Sequence, residues 1–325
     1  MDDASAERYR AAESAAWRSL GAEPVERWVD VPLLGTRVRV LDVGDGPPVL
    51  LVHGLPAAGS IWVPLVVGLH RRRALVVDRP GCGLSPRPGR EWTATPEALV
   101  AVQAAVLDGL GIDHADLVGN SFGGASVLWL ARRRPDQVGH IVLEGVPAVW
   151  GVRPTRTNRI MSVGPVGRWL ARRGMRRSDL QRAFREMGNR RLVETGWPAG
   201  PALAWGLSLY NDTDTLANET DTLHAILGRR GFRMDRLFDP GDLRAIDRPT
   251  LWLWGAEDPY ARVAQGRAWA ASMPDATFEV IGGSGHLPWL DDPDAHARRI
   301  ETFLSTRPAE AGTERPRAPV LTGVG

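Results

Sequence analysis

The sequence predicts an α/β protein in which a parallel sheet is covered by helices on both faces and interrupted by an all-helical insertion. Three observations carry this. Short apolar runs bounded by turn residues alternate with helix-period segments from Arg27 to Gly145, and again from Pro249 to Leu304. The runs are apolar at consecutive positions, as strands buried on both faces must be. Between about residues 149 and 246 the alternation fails, helical pieces dominate, and no run reads as a strand.

Taken in order, residues 1–26 form a helical extension. Ala12, Ala16, Trp17 and Leu20 recur at helical spacing, which predicts an amphipathic helix that docks on the body or on a partner, and Gly21 and Pro24 end it. The stretches RWVDV, TRVRVLDV and PPVLLVHG then read as strands, with GDG as a turn before the third. Ala74 to Asp78 is a strand. Thr95-Pro96-Glu97 opens a helix with a capping hydroxyl, a proline in the first turn and an acid near the positive end of the dipole. Leu99, Val102, Val106 and Leu110 are its apolar face. Ala115 to Gly119 is a strand, Phe122 to Arg134 a helix and His140 to Gly145 a strand. Residues 149–246 read as a helical cap set into a body made of 27–148 and 247–306, with helix faces marked by Val166, Trp169 and Leu170 and by Leu216, Leu223 and Leu227. The pattern resumes with a strand (Pro249 to Gly255), a helix (Ala261 to Met273), a strand (Ala276 to Ile281) and a closing helix (Asp294 to Leu304). Residues 307–325, rich in Pro and Gly, read as a disordered tail.

Composition removes several function classes. The chain has 325 residues, 43% of them hydrophobic and 24% charged, values of an ordinary globular protein able to bury roughly three quarters of its unfolded surface. A single cysteine, Cys82, excludes a disulfide framework and a multi-cysteine metal site; it reads as a small residue in a tight loop. No apolar run approaches the roughly 18 residues that cross a bilayer. The first 20 residues lack the apolar stretch of a secretory signal, so the expected compartment is the cytoplasm. There is no lysine, and 40 arginines stand against 38 acids, a net charge of +2 that does not suggest nucleic-acid binding. The Arg71-Arg72-Arg73, Arg132-Arg133-Arg134, Arg172-Arg173, Arg176-Arg177 and Arg229-Arg230 clusters read as solvated helix faces. A dinucleotide site is disfavoured because Gly81-Cys82-Gly83 runs into Pro86 rather than a helix, and a P-loop lacks its lysine.

The most specific local signal is LVGNSFGG, in which Gly119, Ser121 and Gly123 match G-x-S-x-G between a predicted strand and a predicted helix. A sharp strand-to-helix turn forces its central residue into a strained backbone and requires small neighbours two positions away. It lifts the Ser121 hydroxyl to the helix N-terminus. A free hydroxyl is a poor nucleophile and needs a base, itself oriented by an acid. His286 lies in the loop after the last strand, among small residues. His70, His114, His140, His224 and His296 lie at element boundaries or on helix faces and read as solvated, while His53 belongs to the HGLPAAG segment. Asp258, in WGAEDP after the penultimate strand, is the expected acid, and Glu144 is the second candidate. The Leu55 and Phe122 amides are the natural oxyanion donors, since Pro56 cannot donate.

On these segments the sequence resembles the α/β-hydrolase superfamily over nearly all of residues 27–304. HGLP, DRPGCGLS, GNSFGG, WGAEDP and GSGHLPWLDDP fall in that superfamily's order, as do Ser121, Asp258 and His286. The resemblance implies the α/β-hydrolase fold: a mostly parallel eight-stranded sheet, a second strand (about Thr36 to Asp42) that runs antiparallel, and a cap inserted after the sixth strand. Haloalkane dehalogenases and epoxide hydrolases carry Asp where Ser121 stands. The C–C hydrolases of meta-cleavage products resemble GNSFGG, but many of them follow the catalytic His with Trp, where this chain has Leu287.

The cap holds Trp150, Trp169, Trp197, Trp205, Phe184, Met161, Met175, Met187 and Met234, material suited either to its own core or to a pocket for apolar ligands. Trp150, Trp205 and Leu287 are the expected substrate contacts. The expected activity is hydrolysis of a carboxylic ester of a hydrophobic small molecule through an acyl-enzyme, without metal or cofactor. The alternatives are a C–C bond hydrolase or a non-hydrolytic member that binds a ligand or shapes a cyclisation. The sequence leaves the oligomeric state open, a homodimer included.

Overall fold

A computed structural model describes residues 1–89, 95–228 and 231–306, with Met234 described by its backbone alone. The expected disordered tail, 307–325, lies outside the described residues, as do Arg229 and Arg230.

The chain begins with α1 (Asp3–Arg18) and the strands β1 (Val25–Val31), β2 (Thr36–Val43) and β3 (Pro48–Val52). The short α2 (Val63–Val66) leads to β4 (Arg73–Val77), α3 (Pro96–Gly109), β5 (Ala115–Asn120), α4 (Phe122–Arg133) and β6 (Val138–Glu144). An inserted stretch then carries α5 (Arg156–Met161), α6 (Gly164–Arg173), α7 (Arg177–Glu186), α8 (Arg190–Glu194), α9 (Gly200–Asn211) and α10 (Thr215–Ile226). It closes with a small hairpin, β7 (Leu227–Gly228) and β8 (Gly231–Phe232), which sequence reading missed because two-residue strands leave no periodicity. The body ends with β9 (Thr250–Gly255), α11 (Val263–Ala271), β10 (Ala276–Ile281) and α12 (Pro293–Leu304).

Eight strands form one sheet in the order β1-β2-β4-β3-β5-β6-β9-β10. β2 is antiparallel to both its neighbours, and from β4 to β10 every pairing is parallel. The fold is the α/β-hydrolase fold. Period-two geometry divides the central strands between two cores. Leu50, Val52, Leu75 and Val77 pack under α3, α4 and α11, whereas Val49, Leu51, Val76 and Ala74 pack under α1, α2 and α12. The edge strand β10 is only partly buried, as a strand with one neighbour should be.

The N-terminal helix docks on this second face through two of the four expected residues, Ala16 and Trp17, while Ala12 is half-buried. Its buried positions are Tyr9, Glu13, Ala16 and Trp17, while Leu20 is exposed because the helix has ended and Gly21 turns the chain at φ 79°. A buried Glu interrupts the apolar pattern. Its partner comes from β2: Glu13 and Arg39, both buried, are joined at 2.6 Å, and Arg39 also reaches Asp78 at 3.3 Å. The Ser60 hydroxyl donates to Glu13 at 2.7 Å and accepts from the Trp17 indole at 2.9 Å.

Candidate active site

The turn from β5 to α4 is strained as the motif requires. Ser121 has φ 53° and ψ −117°, and it is the one non-glycine residue with positive φ among the described residues. A Cβ on Gly119 would lie 2.7 Å from the Gly123 carbonyl oxygen, and one on Gly123 would lie 2.0 Å from that of Val52. Glycine at both positions is what lets the turn close against β3. The Ser121 side chain therefore stands at the N-terminus of a twelve-residue helix, whose first amides have no intrahelical acceptor.

The structure brings two of the predicted partners together. His286 Nδ1 lies 2.6 Å from Asp258 Oδ2, both side chains being buried. The Asp258 carboxylate also accepts the Val146 amide on Oδ2 and the Tyr260 amide on Oδ1, each at 3.0 Å. An ionised carboxylate can only accept, so Nδ1 is the protonated nitrogen and the Nε2 lone pair is left available. Nε2 is buried and makes no hydrogen bond among the described residues. The ring of Tyr260 packs on the imidazole with centroids 4.3 Å apart. Glu257 is exposed, and the reserve acid Glu144 is taken by His296, whose Nδ1 lies 2.8 Å away.

The backbone around His286 is fixed from two sides. Asn120 donates through Nδ2 to the His286 carbonyl at 3.0 Å and to the Glu144 carbonyl at 2.7 Å. From the inserted stretch, the Met187 carbonyl accepts the His286 amide at 2.8 Å, and Asn189 bonds both the amide and the carbonyl of Leu287. A Cβ on Gly285 would sit 2.4 Å from the Met187 oxygen, and one on Gly188 2.3 Å from the Glu257 oxygen. Residues 187–189 thus touch the loops of both Asp258 and His286 backbone to backbone. Sequence reading missed Asn120, Asn189 and Tyr260. Asn120 was visible as the variable position of the motif; Asn189 carries no local signal.

A second network sets the loop after β3. The Arg79 amide donates to His53 Nε2 at 3.1 Å, so His53 Nδ1 carries the proton and donates to the Gly54 carbonyl at 2.9 Å. Burial, reinforced by the Arg79 charge, holds the His53 imidazole well below its ordinary pKa and keeps it neutral. The Arg79 guanidinium adds a second donor to the same carbonyl at 3.0 Å and is anchored by Glu219 of α10 at 2.8 Å. In a trans peptide the N–H points opposite to the C=O, so these two donors orient the Leu55 amide away from themselves. Cys82 donates to Glu219 at 3.4 Å, and burial raises its thiol well above the usual range, which makes it inert.

Two recesses share Leu55, Leu223 and Tyr260 as common walls. The smaller, about 30 Å³, is lined by Ser121 and Phe122 with Val146 and Ile226 behind them. The larger, about 240 Å³, holds His286, Leu287 and Trp205 together with Met161, Leu180 and Phe184. Its charged wall residues are Arg173 and Arg182 against Asp179, Glu186 and Glu219, and Arg173 is tied to Asp179 at 3.1 Å. Trp150 lines neither recess. It is 45% exposed, its amide bound to the Phe238 carbonyl at 2.8 Å in a bridge that carries the chain outward.

Three polar residues read as solvated are buried. His140 pairs with Asp116 at 2.9 Å, His296 with Glu144, and Arg72 with Asp116 at 3.1 Å and Glu301 at 3.3 Å. Each partner comes from a distant part of the chain, which local pattern cannot reveal.

A family model described as alpha/beta hydrolase fold matches residues 47–293. A 2-hydroxymuconate semialdehyde hydrolase of Pseudomonas putida is 29% identical over 83% of this chain and 92% of its own. A pimeloyl-[acyl-carrier protein] methyl ester esterase of Xanthomonas campestris pv. campestris is 30% identical over 82% of this chain and 98% of its own. Among solved structures, a carboxylesterase from Bacillus subtilis superposes with a TM-score of 0.68 at 19% identity, covering 93% of this chain and 99% of that one. This last likeness is one of fold.

Proposed function

Because the chain belongs to the α/β-hydrolase family and is an enzyme of that family, we propose that it hydrolyses a neutral carboxylic ester of a hydrophobic small molecule through a Ser121 acyl-enzyme. The observation that carries the reading is the Asp258–His286 pair, which leaves Nε2 as a free base on the sheet edge where the strained Ser121 turn emerges. Ser121 Oγ attacks the carbonyl as Nε2 takes its proton. The Leu55 and Phe122 amides hold the oxyanion. His286 returns the proton to the leaving alcohol and then activates water on the acyl-enzyme. The 149–246 stretch acts as a cap over the site. A small recess beside Ser121 and a large apolar cavity beyond it suit an ester with one slim and one bulky side.

The muconate-type relatives support a second reading, cleavage of a C–C bond in a dienone acid. Such an acid brings a carboxylate. The cavity wall offers two arginines against three acids, no surplus of positive charge to receive it, and this favours the ester.

A fluorophosphonate probe tests the nucleophile, since its phosphorus centre mimics the tetrahedral intermediate. Stoichiometric labelling at Ser121, with turnover of p-nitrophenyl esters that rises with the length of one chain, is the expected result. Labelling with fast turnover of a dienone acid and only trace ester turnover would transfer the assignment to C–C cleavage. Absence of labelling on Ser121 in the folded enzyme would refute the acyl-enzyme.

A further inference from the structure

The inserted stretch is lopsided in charge. From Gly145 to Ser178 the chain carries eight arginines and no Asp or Glu, although the whole chain is nearly neutral. On α5, α6 and the turn between them, Ile160 and Val163 are each 51% exposed, Val166 is 42% exposed and Trp169 63%. The sequence pattern marks Val166 and Trp169 as a buried helix face, and the structure turns that face outward. The reason lies on the opposite side of α6. There Gly167 packs against α10 so closely that a Cβ would come within 2.4 Å of Thr220 Cγ2, and Leu170 faces the large cavity with Met161 of α5. The helix spends its small residues on α10 and presents its large apolar ones to solvent. Arg156 and Arg159 of α5 and Arg168 and Arg172 of α6 are all exposed, Arg168 lying 3.8 Å from Asp221.

We infer that this face of α5 and α6 docks on an anionic lipid surface. A phospholipid interface supplies both things the face asks for: an apolar layer for Ile160, Val163, Val166 and Trp169, and anionic headgroups at the level of the arginines. A second copy of the chain fits badly, because a two-fold contact would set one arginine cluster against its own image. Nucleic acid would satisfy the arginines and leave the aliphatic side chains uncovered. The inner sides of the same two helices line the cavity, so docking brings an apolar substrate dissolved in the bilayer next to its binding site. That last step rests on the proposed function; the docking does not.

The experiment is co-sedimentation of the full chain with vesicles of phosphatidylcholine alone and of phosphatidylcholine containing phosphatidylglycerol, at low and high salt. Partition onto the anionic vesicles, weakened by salt, is expected. Trp169→Ser should lower the partition coefficient by about tenfold, and the combined Arg156→Glu, Arg159→Glu and Arg172→Glu change by more than about a hundredfold. Turnover of a water-soluble short ester without vesicles should be unchanged, since none of these residues lines the cavity. The two variants are independent, so misfolding of one leaves the other to decide. Failure to sediment with anionic vesicles, equal binding to neutral ones, or a dimer that Trp169→Ser dissolves would each overturn the inference. Intact vesicle binding without ester turnover would count against the proposed function alone.

Discussion

Glu257 and Asp258 are adjacent in sequence and opposite in environment, and the pair shows how much of the site is a matter of single residues. Asp258 receives three donors in a buried pocket, while Glu257 points to solvent. Asp258→Asn presents an N–H where His286 needs an acceptor and should lower kcat by about 10⁴-fold; Glu257→Gln should change it by less than about twofold, because exposed positions seldom matter. Steady-state kinetics on one ester checks both. Arg79 acts at one remove from the chemistry. Replacing Arg79 by Met together with Glu219 by Gln removes a buried charge pair without stranding either partner, and frees the Gly54–Leu55 peptide. Turnover should fall by about tenfold with KM little changed, less than the 10²–10³ of a deleted oxyanion donor. Unaltered kcat would show that His53 alone fixes the loop. Ser121, Asp258 and His286 were legible because each sits in a local signature after a strand. Arg79, Asn120 and Asn189 were not, because their meaning lies in partners that only the folded chain supplies.

Among the elements, α1 and α12 are each held by buried charge, and both make testable demands. α1 is pinned through Glu13 to Arg39. Glu13→Gln leaves Arg39 with less countercharge in a dry site and should cost about 3 kcal/mol, read as a lowered denaturant midpoint with unchanged slope. α12 is pinned to β6 by His296 and Glu144. Burial alone would lower the His296 pKa, but the Glu144 carboxylate outweighs it and raises the value above the ordinary 6.5. A raised imidazole gives its full stabilisation below the unfolded value and loses it as pH climbs through the folded one. The wild-type protein should therefore lose stability as pH rises above about 6.5, and His296→Gln should flatten that part of the curve. A wild-type profile parallel to the variant's would refute the coupling. Helix existence was readable from periodicity. The docking face of α1 was readable at Ala16 and Trp17 but not at Glu13, because a buried carboxylate reads as a solvated one until its arginine is found.

Across the whole molecule, the alternation of strand and helix announced the sheet, and Ser121, Asp258 and His286 lay in loops that a parallel sheet must bring to one edge. What the sequence did not show is how the inserted stretch sits, since that depends on surfaces meeting rather than on any run of residues. Two of its fastenings to the body stand out: Trp205 donates to the Tyr9 hydroxyl of α1 at 3.2 Å, and residues 187–189 lie on the loops of Asp258 and His286. Gly285→Ala should force those backbones apart, at a cost of about 2 kcal/mol as overpacking, with a fall in turnover. Gly282→Ala, three residues earlier with open space around it, should do neither. The junction also bears on heredity. A recombinant taking the inserted stretch from one parent and the body from another would have to match glycine for glycine at 188 and 285, and asparagine for loop length at 189. Crossovers that fall between these contacts should be purged from shuffled libraries, so the two segments, about a hundred residues apart, are transmitted as one unit.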